Sequence, residues 1–313
     1  MNKDAKIYVS GHCGLVGSAL IRRLHEGGFS NIITRSHSEL DLTRQSDVEA
    51  FFAEEKPEYV FHAAARAGGI LANSTFPADF MYENLAIETN VIHSAAKNGT
   101  KKLLFIATTS VYPKDAPQPL KEDTLLTGTL EPTNAAYGLA KIIGIKLCEY
   151  CNKQYGTDFI SVTPTNLYGL NDHYDPQYSH VLPSLIRKFA EAVLDNSPSI
   201  EIWGTGKPQR EFLFADDMAD ACVFLMEYYS GSTPINIGTE SDIHISGLAE
   251  LLKKVTGYRG ELVWNTSKPD GFQRKLTDCS KLFGLGWKPK ISLEDGIRAT
   301  YEDYLKNREL YRK

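Results

Sequence analysis

Tyr137 and Lys141 stand four residues apart in EPTNAAYGLAKIIGIKLCEY. On a helix that spacing puts both side chains on one face, about 6 Å apart along the axis. An ammonium so placed favours the phenolate and lowers the tyrosine pKa, which predicts an acid able to protonate a carbonyl oxygen near neutral pH. Upstream, LLFIATTSVYP closes an apolar run with Thr108, Thr109 and Ser110, whose hydroxyls could bind the same oxygen. A tyrosine–lysine pair alone is common as a solvated surface feature. The run of hydroxyls and a glycine pattern near the amino terminus turn this one toward chemistry.

That pattern is KIYVSGHCGLVGSAL, with Gly11, Gly14 and Gly17 between a first strand and a first helix. The first glycine permits a tight turn, the second lets backbone amides approach a pyrophosphate, and the third lets helix and strand pack closely. The helix amino terminus then attracts the anion. After the next strand the chain reads IITRSHSEL, with Arg35 and no carboxylate before Glu39. An acidic residue there would bind ribose hydroxyls, whereas arginine accommodates a 2′-phosphate, so NADP is favoured over NAD. The bland alternative for Arg35 is a solvated surface charge. Asp41 and Leu42 follow on the loop and could flank the adenine.

Short β-branched runs (KIYV, NIIT, YVFHA, KLLFIA, DFISVT) alternate with helical stretches as far as about residue 165. This rhythm predicts an α/β fold with a Rossmann-type, doubly wound parallel sheet, and ligands at the carboxyl ends of its strands. Past PTNLYG the pattern loosens around Pro176, Pro183, Pro198 and Pro208. A smaller, discontinuous carboxy-terminal substrate domain is expected there. Residues 1–168 plus about 212–243 would bind the dinucleotide, and about 169–211 plus 244–313 the substrate.

With 313 residues, 42% hydrophobic and 23% charged, the chain has length for a real core and a globular composition. A net charge of −5 without a basic run gives nucleic acid and acidic membranes no electrostatic footing. The short apolar run at residues 7–10 is no signal peptide, and nothing approaches a membrane span, so a cytoplasmic protein is expected. Five scattered cysteines fit reduced thiols. Cys148 and Cys151 form a CxxC without a second pair or histidines, which predicts packing and no metal.

Taken together these motifs resemble the extended short-chain dehydrogenase/reductase family. Longer runs narrow the likeness to its branch that inverts C3 and C5 and then reduces C4 of GDP-4-keto-6-deoxy-D-mannose: RAGGILANSTFPADFMYENLAIETNVI, QPLKEDTLLTGTLEPTNAAYGLAKIIGIKLCE, SVTPTNLYGLNDHY, SHVLPSLIRKF, WGTGKPQREFLFADDMA and SKPDGFQRKLTD. The resemblance implies that Thr108, Tyr137 and Lys141 serve hydride transfer from NADPH, with Thr108 where serine is usual. It implies that His180 is one epimerisation residue. The other, a cysteine in that branch, is here Ser110, an alcohol far less acidic than a thiol of pKa about 8.5. Cys13 and His37 stand where arginines usually flank the 2′-phosphate, which weakens the NADPH preference.

Lys141 and Asn166 are implied to border the cofactor, and the Gly68–Gly69–Ile70 loop to line nicotinamide and sugar. For the GDP moiety the likeness points to Asn166, Leu167, Val181, Leu185, Lys188, Trp203, Arg210, Lys268 and Asp270. Arg210 and Lys188 suit a pyrophosphate, Trp203 a flat base, and Asp270 a guanine edge or ribose. The helices at 79–97 and 134–155 are apolar almost all round, and a homodimer joined through a four-helix bundle is implied. The competing readings are a reductase without epimerisation, an isomerase or dehydratase holding NAD tightly, and a non-catalytic dinucleotide sensor.

Overall fold

The computed structural model describes residues 1–268 and 270–311. Its first sheet comprises six parallel strands, β1 (Ile7–Ser10), β2 (Ile32–Ile33), β3 (Tyr59–His62), β4 (Lys102–Ile106), β5 (Asp158–Pro164) and β9 (Ile235–Ile237), in the order β2-β1-β3-β4-β5-β9. Alternate residues of these short apolar strands feed opposite layers. Ile7 and Val9 point to a core with α1 (Leu15–Glu26) and α7 (Ala215–Tyr228), whereas Tyr8 points to one with α2 (Gln45–Glu55), α4 (Pro77–Lys97) and α5 (Ala135–Tyr155). A short helix, α3 (Ile70–Thr75), precedes α4. Pro77 opens α4, where its missing N–H costs nothing, and Gly156 ends α5 in the left-handed region at φ 68°.

A second assembly centres on β8 (Gln209–Phe214), which pairs with β6 (Asn166–Tyr168), β10 (Asp242–His244) and β12 (Arg274–Lys275). Beside it, β7 (Ser199–Trp203) pairs with β11 (Glu261–Asn265). Helices α6 (Val181–Leu194), α8 (Ile245–Thr256) and α10 (Leu293–Tyr311) cover this assembly in a third core, and α9 (Ser280–Gly284) contacts β9. The run FADDMADACVFLMEYY is thus α7 against α1, and PINIG supplies β9 beside β5.

Cys148 and Cys151 are buried in the second core, where a small apolar side chain fits. Among the described residues no helix is long and apolar enough to cross a membrane. The α4–α5 pair is not fully covered within the chain: Tyr82, Leu139, Ile143 and Tyr150 are exposed on it.

Candidate active site

β1 delivers its chain into Gly11, whose φ of 70° is one that a side chain rarely adopts. A Cβ there would lie 2.8 Å from the backbone of Ala64, and a Cβ on Gly17 only 2.0 Å from the carbonyl oxygen of Gly11. Gly14 caps α1 in extended conformation, and no acidic residue stands in the first helical turn. Free N–H groups and the positive end of the helix dipole therefore face outward over three close-packed glycines, a cradle suited to a dinucleotide pyrophosphate. Gly17→Ala is expected to push this turn apart. Dinucleotide binding should weaken about tenfold or more, about 1.4 kcal/mol, in a fluorescence titration.

Arg35 follows β2, where a 2′-phosphate is expected. Its guanidinium donates to Glu55 Oε1 at 2.6 Å and to the carbonyl of Thr34, and it lies over the Phe51 ring. An α2 carboxylate thus orients the guanidinium expected to meet a phosphate. Glu39 accepts from both the N–H and the hydroxyl of Ser36 at 2.7 Å, which holds its carboxyl below the usual value. Asp41 accepts from the N–H and hydroxyl of Thr43, and Leu42 is buried in the core, so both have local structural tasks. Cys13 and His37 are exposed.

Behind β4 the chain turns through Thr109–Val111. Thr108 caps that turn, its Oγ1 accepting from the N–H of Ser110 at 3.2 Å. On α5, Lys141 is 2% exposed and donates to the carbonyl of Ile106 at 3.0 Å, with its ammonium 2.8 Å from Glu88 Oε1 of α4. The ammonium stands 5.7 Å from the Tyr137 ring, which meets Phe80 edge to face. Thr108, Ser110, Tyr137 and Lys141 therefore lie around the carboxyl end of β4. The electrostatics differ: burial raises the Tyr137 phenol above its ordinary value, Lys141 lowers it only in part, and Glu88 raises it further. The phenol is thus held as a proton donor.

His62, at the end of β3, shares a hydrogen bond with Ser10 at 2.7 Å; burial and then Lys141 push its imidazole down to about 3, so it stays neutral. Asn84 of α4 fixes the chain after β3 by bonding both the N–H and the carbonyl of Arg66. In the Gly68–Gly69–Ile70 loop the N–H of Gly69 donates to the backbone carbonyl of Tyr178 at 2.7 Å. A Cβ on Gly69 would come within 2.5 Å of Ser179, next to His180 at the amino end of α6. The surrounding protein, then Lys275 and His173, hold the His180 imidazole below its usual value, neutral and able to accept a proton.

Lys275 was not singled out by sequence. It lies on β12 in register with Arg210, and its ammonium is 3.4 Å from Ser110 Oγ. Burial and then Arg210 push it down to about 8. Its signal was the RKL run in SKPDGFQRKLTD, but only the pairing of β12 with β8 brings that run to Ser110.

Lys188 and Lys268 flank the half-exposed Trp203 ring at 5.3 and 4.9 Å. Asp270 accepts from the N–H and hydroxyl of Thr205, which hold its carboxyl below the usual value. Arg210 stands between this cluster and Lys275, and burial lowers its pKa while Asp270 opposes. Val181 is exposed at the start of α6, whereas Leu185 is buried below it and Leu167 packs against the first core. Asn166 donates to the backbone carbonyl of Glu211, tying β6 to β8. A basic, aromatic strip thus runs from Trp203 to Ser110, with the chemistry to meet a diphosphate and a flat base.

A parallel sheet opening on this glycine turn, with a tyrosine–lysine pair behind a hydroxyl-bearing strand end, defines a dinucleotide-binding enzyme of the short-chain dehydrogenase/reductase type. The chain belongs to the NAD dependent epimerase/dehydratase family, whose model matches residues 7–238. It is 57% identical over 306 residues to GDP-L-fucose synthase 1 of Arabidopsis thaliana, covering 98% of this chain and 95% of that one. It is 48% identical over 316 residues to GDP-L-fucose synthase of Escherichia coli, covering 98% of each. Among solved structures, a GDP-mannoheptose C4 reductase from Campylobacter jejuni with NADP bound superposes with a TM-score of 0.90 at 44% identity, covering 97% of this chain and 99% of that one.

Proposed function

We propose that this protein converts GDP-4-keto-6-deoxy-D-mannose to GDP-L-fucose, inverting C3 and C5 before reducing C4 at the expense of NADPH. The observation that carries the reading is that groups able to move protons gather around the end of β4. Thr108, Ser110 and Tyr137 stand together after β4, with the Lys275 ammonium against Ser110 and His180 within electrostatic reach of Lys275. Names of relatives at 48 and 57% identity and the NADP held by the C. jejuni reductase support it.

Gly11, Gly14 and Gly17 would hold the dinucleotide's pyrophosphate, and Lys141 its nicotinamide ribose. When bound, NADPH supplies the hydride for C4. The chain's own residues manage the protons. The C4 ketone acidifies the hydrogens on C3 and C5, so a base on one face removes one to leave an enolate, and an acid on the other face returns a proton with inverted configuration. His180 is neutral and suited to one of these roles. Ser110, with an amine at 3.4 Å, fills the other. The Tyr137 hydroxyl then donates to O4 as C4 is reduced, so ketone, hydride and one proton account for the alcohol. Lys188, Trp203, Lys268, Asp270 and Arg210 hold the GDP. The exposed Leu139, Ile143, Tyr82 and Tyr150 are the face through which a second copy would complete a four-helix bundle.

A second reading, reduction at C4 without epimerisation, is favoured by Ser110 standing in place of a thiol and by likeness to a C4 reductase. Turnover of the 4-keto sugar with NADPH in heavy water separates the two. Deuterium at C3 and C5 of a GDP-L-fucose product is the expected result, whereas cofactor oxidation with no ring deuterium would leave the reductase. Ser110→Cys should raise deuterium incorporation by about tenfold or more, since a thiol is a far stronger acid than an alcohol. An unchanged exchange rate would remove Ser110 from the proton transfer.

A further inference from the structure

Glu88 is a fully buried carboxylate in the middle of α4, whose other buried positions include Phe80, Val91 and Ile92. Its Oε1 lies 2.8 Å from the Lys141 ammonium, and among the described residues neither of its oxygens has a hydrogen-bond partner of good geometry. Space for it exists because α5 carries Gly144 opposite: a Cβ there would come within 2.9 Å of Glu88 Oε2 and 2.3 Å of the Phe105 ring. The Lys141 ammonium is thereby held by a hydrogen bond to the Ile106 carbonyl and an ion pair with Glu88, over the Phe105 ring.

We propose that Glu88 is a positioning residue for C4 reduction: it pins Lys141 and keeps the Lys141–Tyr137 pair protonated into the alkaline range. The proposal rests on the reductive half of the function proposed above. A buried ammonium left alone would lose its proton readily, and a carboxylate within contact distance opposes that loss. Glu88 also raises the Tyr137 phenol, against Lys141. The remaining titratable groups around Glu88 do not replace it. His62 of β3 is neutral, and Cys148 of α5 is held protonated by burial. Because Lys141 and Tyr137 interact, they lose protons as a coupled pair, and removing the nearby negative charge makes the first proton leave at lower pH.

The test is the pH profile of C4 reduction by Glu88→Gln, which keeps the shape and removes the charge. The alkaline limb of kcat should move down by about one pH unit or more, with the effect in kcat rather than KM. The pH at which NADPH affinity falls, read by cofactor fluorescence without sugar present, should move the same way. Should Glu88→Gln fail to fold, Glu88→Asp carries the test: it keeps the charge but withdraws it by one methylene, so both limbs should move in the same direction by less. A folded variant with both limbs on those of the wild type, or one losing activity equally at every pH, would overturn the proposal. Failure of the functional reading is a different result: wild-type protein that oxidises no NADPH with the 4-keto sugar.

Discussion

Tyr137→Phe should cut cofactor oxidation on the 4-keto sugar by about 10²- to 10⁴-fold, the usual worth of one well-placed general acid. Only an oxygen is removed. The ring stays packed edge to face against Phe80 and beside the Lys141 ammonium, so the variant should fold normally. The effect should lie in kcat, because the groups proposed to hold GDP, Trp203, Arg210 and Asp270, are on other elements. Burial keeps the phenol above its ordinary value, so Tyr137 remains a donor across the neutral range. Reduction should therefore fall only on the alkaline side, as the donor is titrated away. Ring deuterium should still enter the sugar in this variant, since Ser110 and His180 are proposed to move those protons. Retained turnover would remove Tyr137 from the mechanism and revive a role for another donor.

Much of this site was legible because its pieces are local. The glycine turn, the hydroxyls after β4 and the four-residue spacing of Tyr137 and Lys141 each depend on a few consecutive residues, and a parallel α/β sheet brings the carboxyl ends of its strands to one edge. The departures came where distant chain segments decide. Arg35 reads as a free charge, and its α2 partner Glu55, 2.6 Å from the guanidinium, does not show in local spacing. Lys141 reads as lowering the tyrosine pKa, but burial and Glu88 outweigh it, and Glu88 lies in a helix whose pattern announces only packing. Lys275 reaches Ser110 across 165 residues of chain through the pairing of β12 with β8. Periodicity finds helices and strands. It does not find which strand becomes the hub of an irregular second sheet.

That hub predicts the second large effect, Glu211→Gln. Glu211 sits on β8 and is fully buried. One carboxylate oxygen accepts from the N–H groups of Thr239 at 2.6 Å and Glu240 at 2.8 Å, the other from the N–H and hydroxyl of Thr277 at 2.9 and 2.7 Å. Both oxygens thus serve only as acceptors, for donors on the loop after β9 and on the chain after β12. Glutamine would turn one of those acceptors into an NH₂ group facing donors, leaving buried N–H groups unpaired at a cost of about 3 kcal/mol. At about 2–4 °C per kcal/mol for a chain of this order, the melting temperature should drop by roughly 10 °C. Function should suffer with stability, because Arg210 precedes Glu211 on β8 and Lys275 lies in register with Arg210 on β12. Loosening these strands should raise KM for the GDP-sugar more than it lowers kcat, the reverse of Tyr137→Phe. A melting temperature at the wild-type value would mean that the three segments are held together by packing alone. In that case Glu211 would be a tolerated buried charge, and the alignment of Arg210 with Lys275 would have to come from the backbone pairing itself.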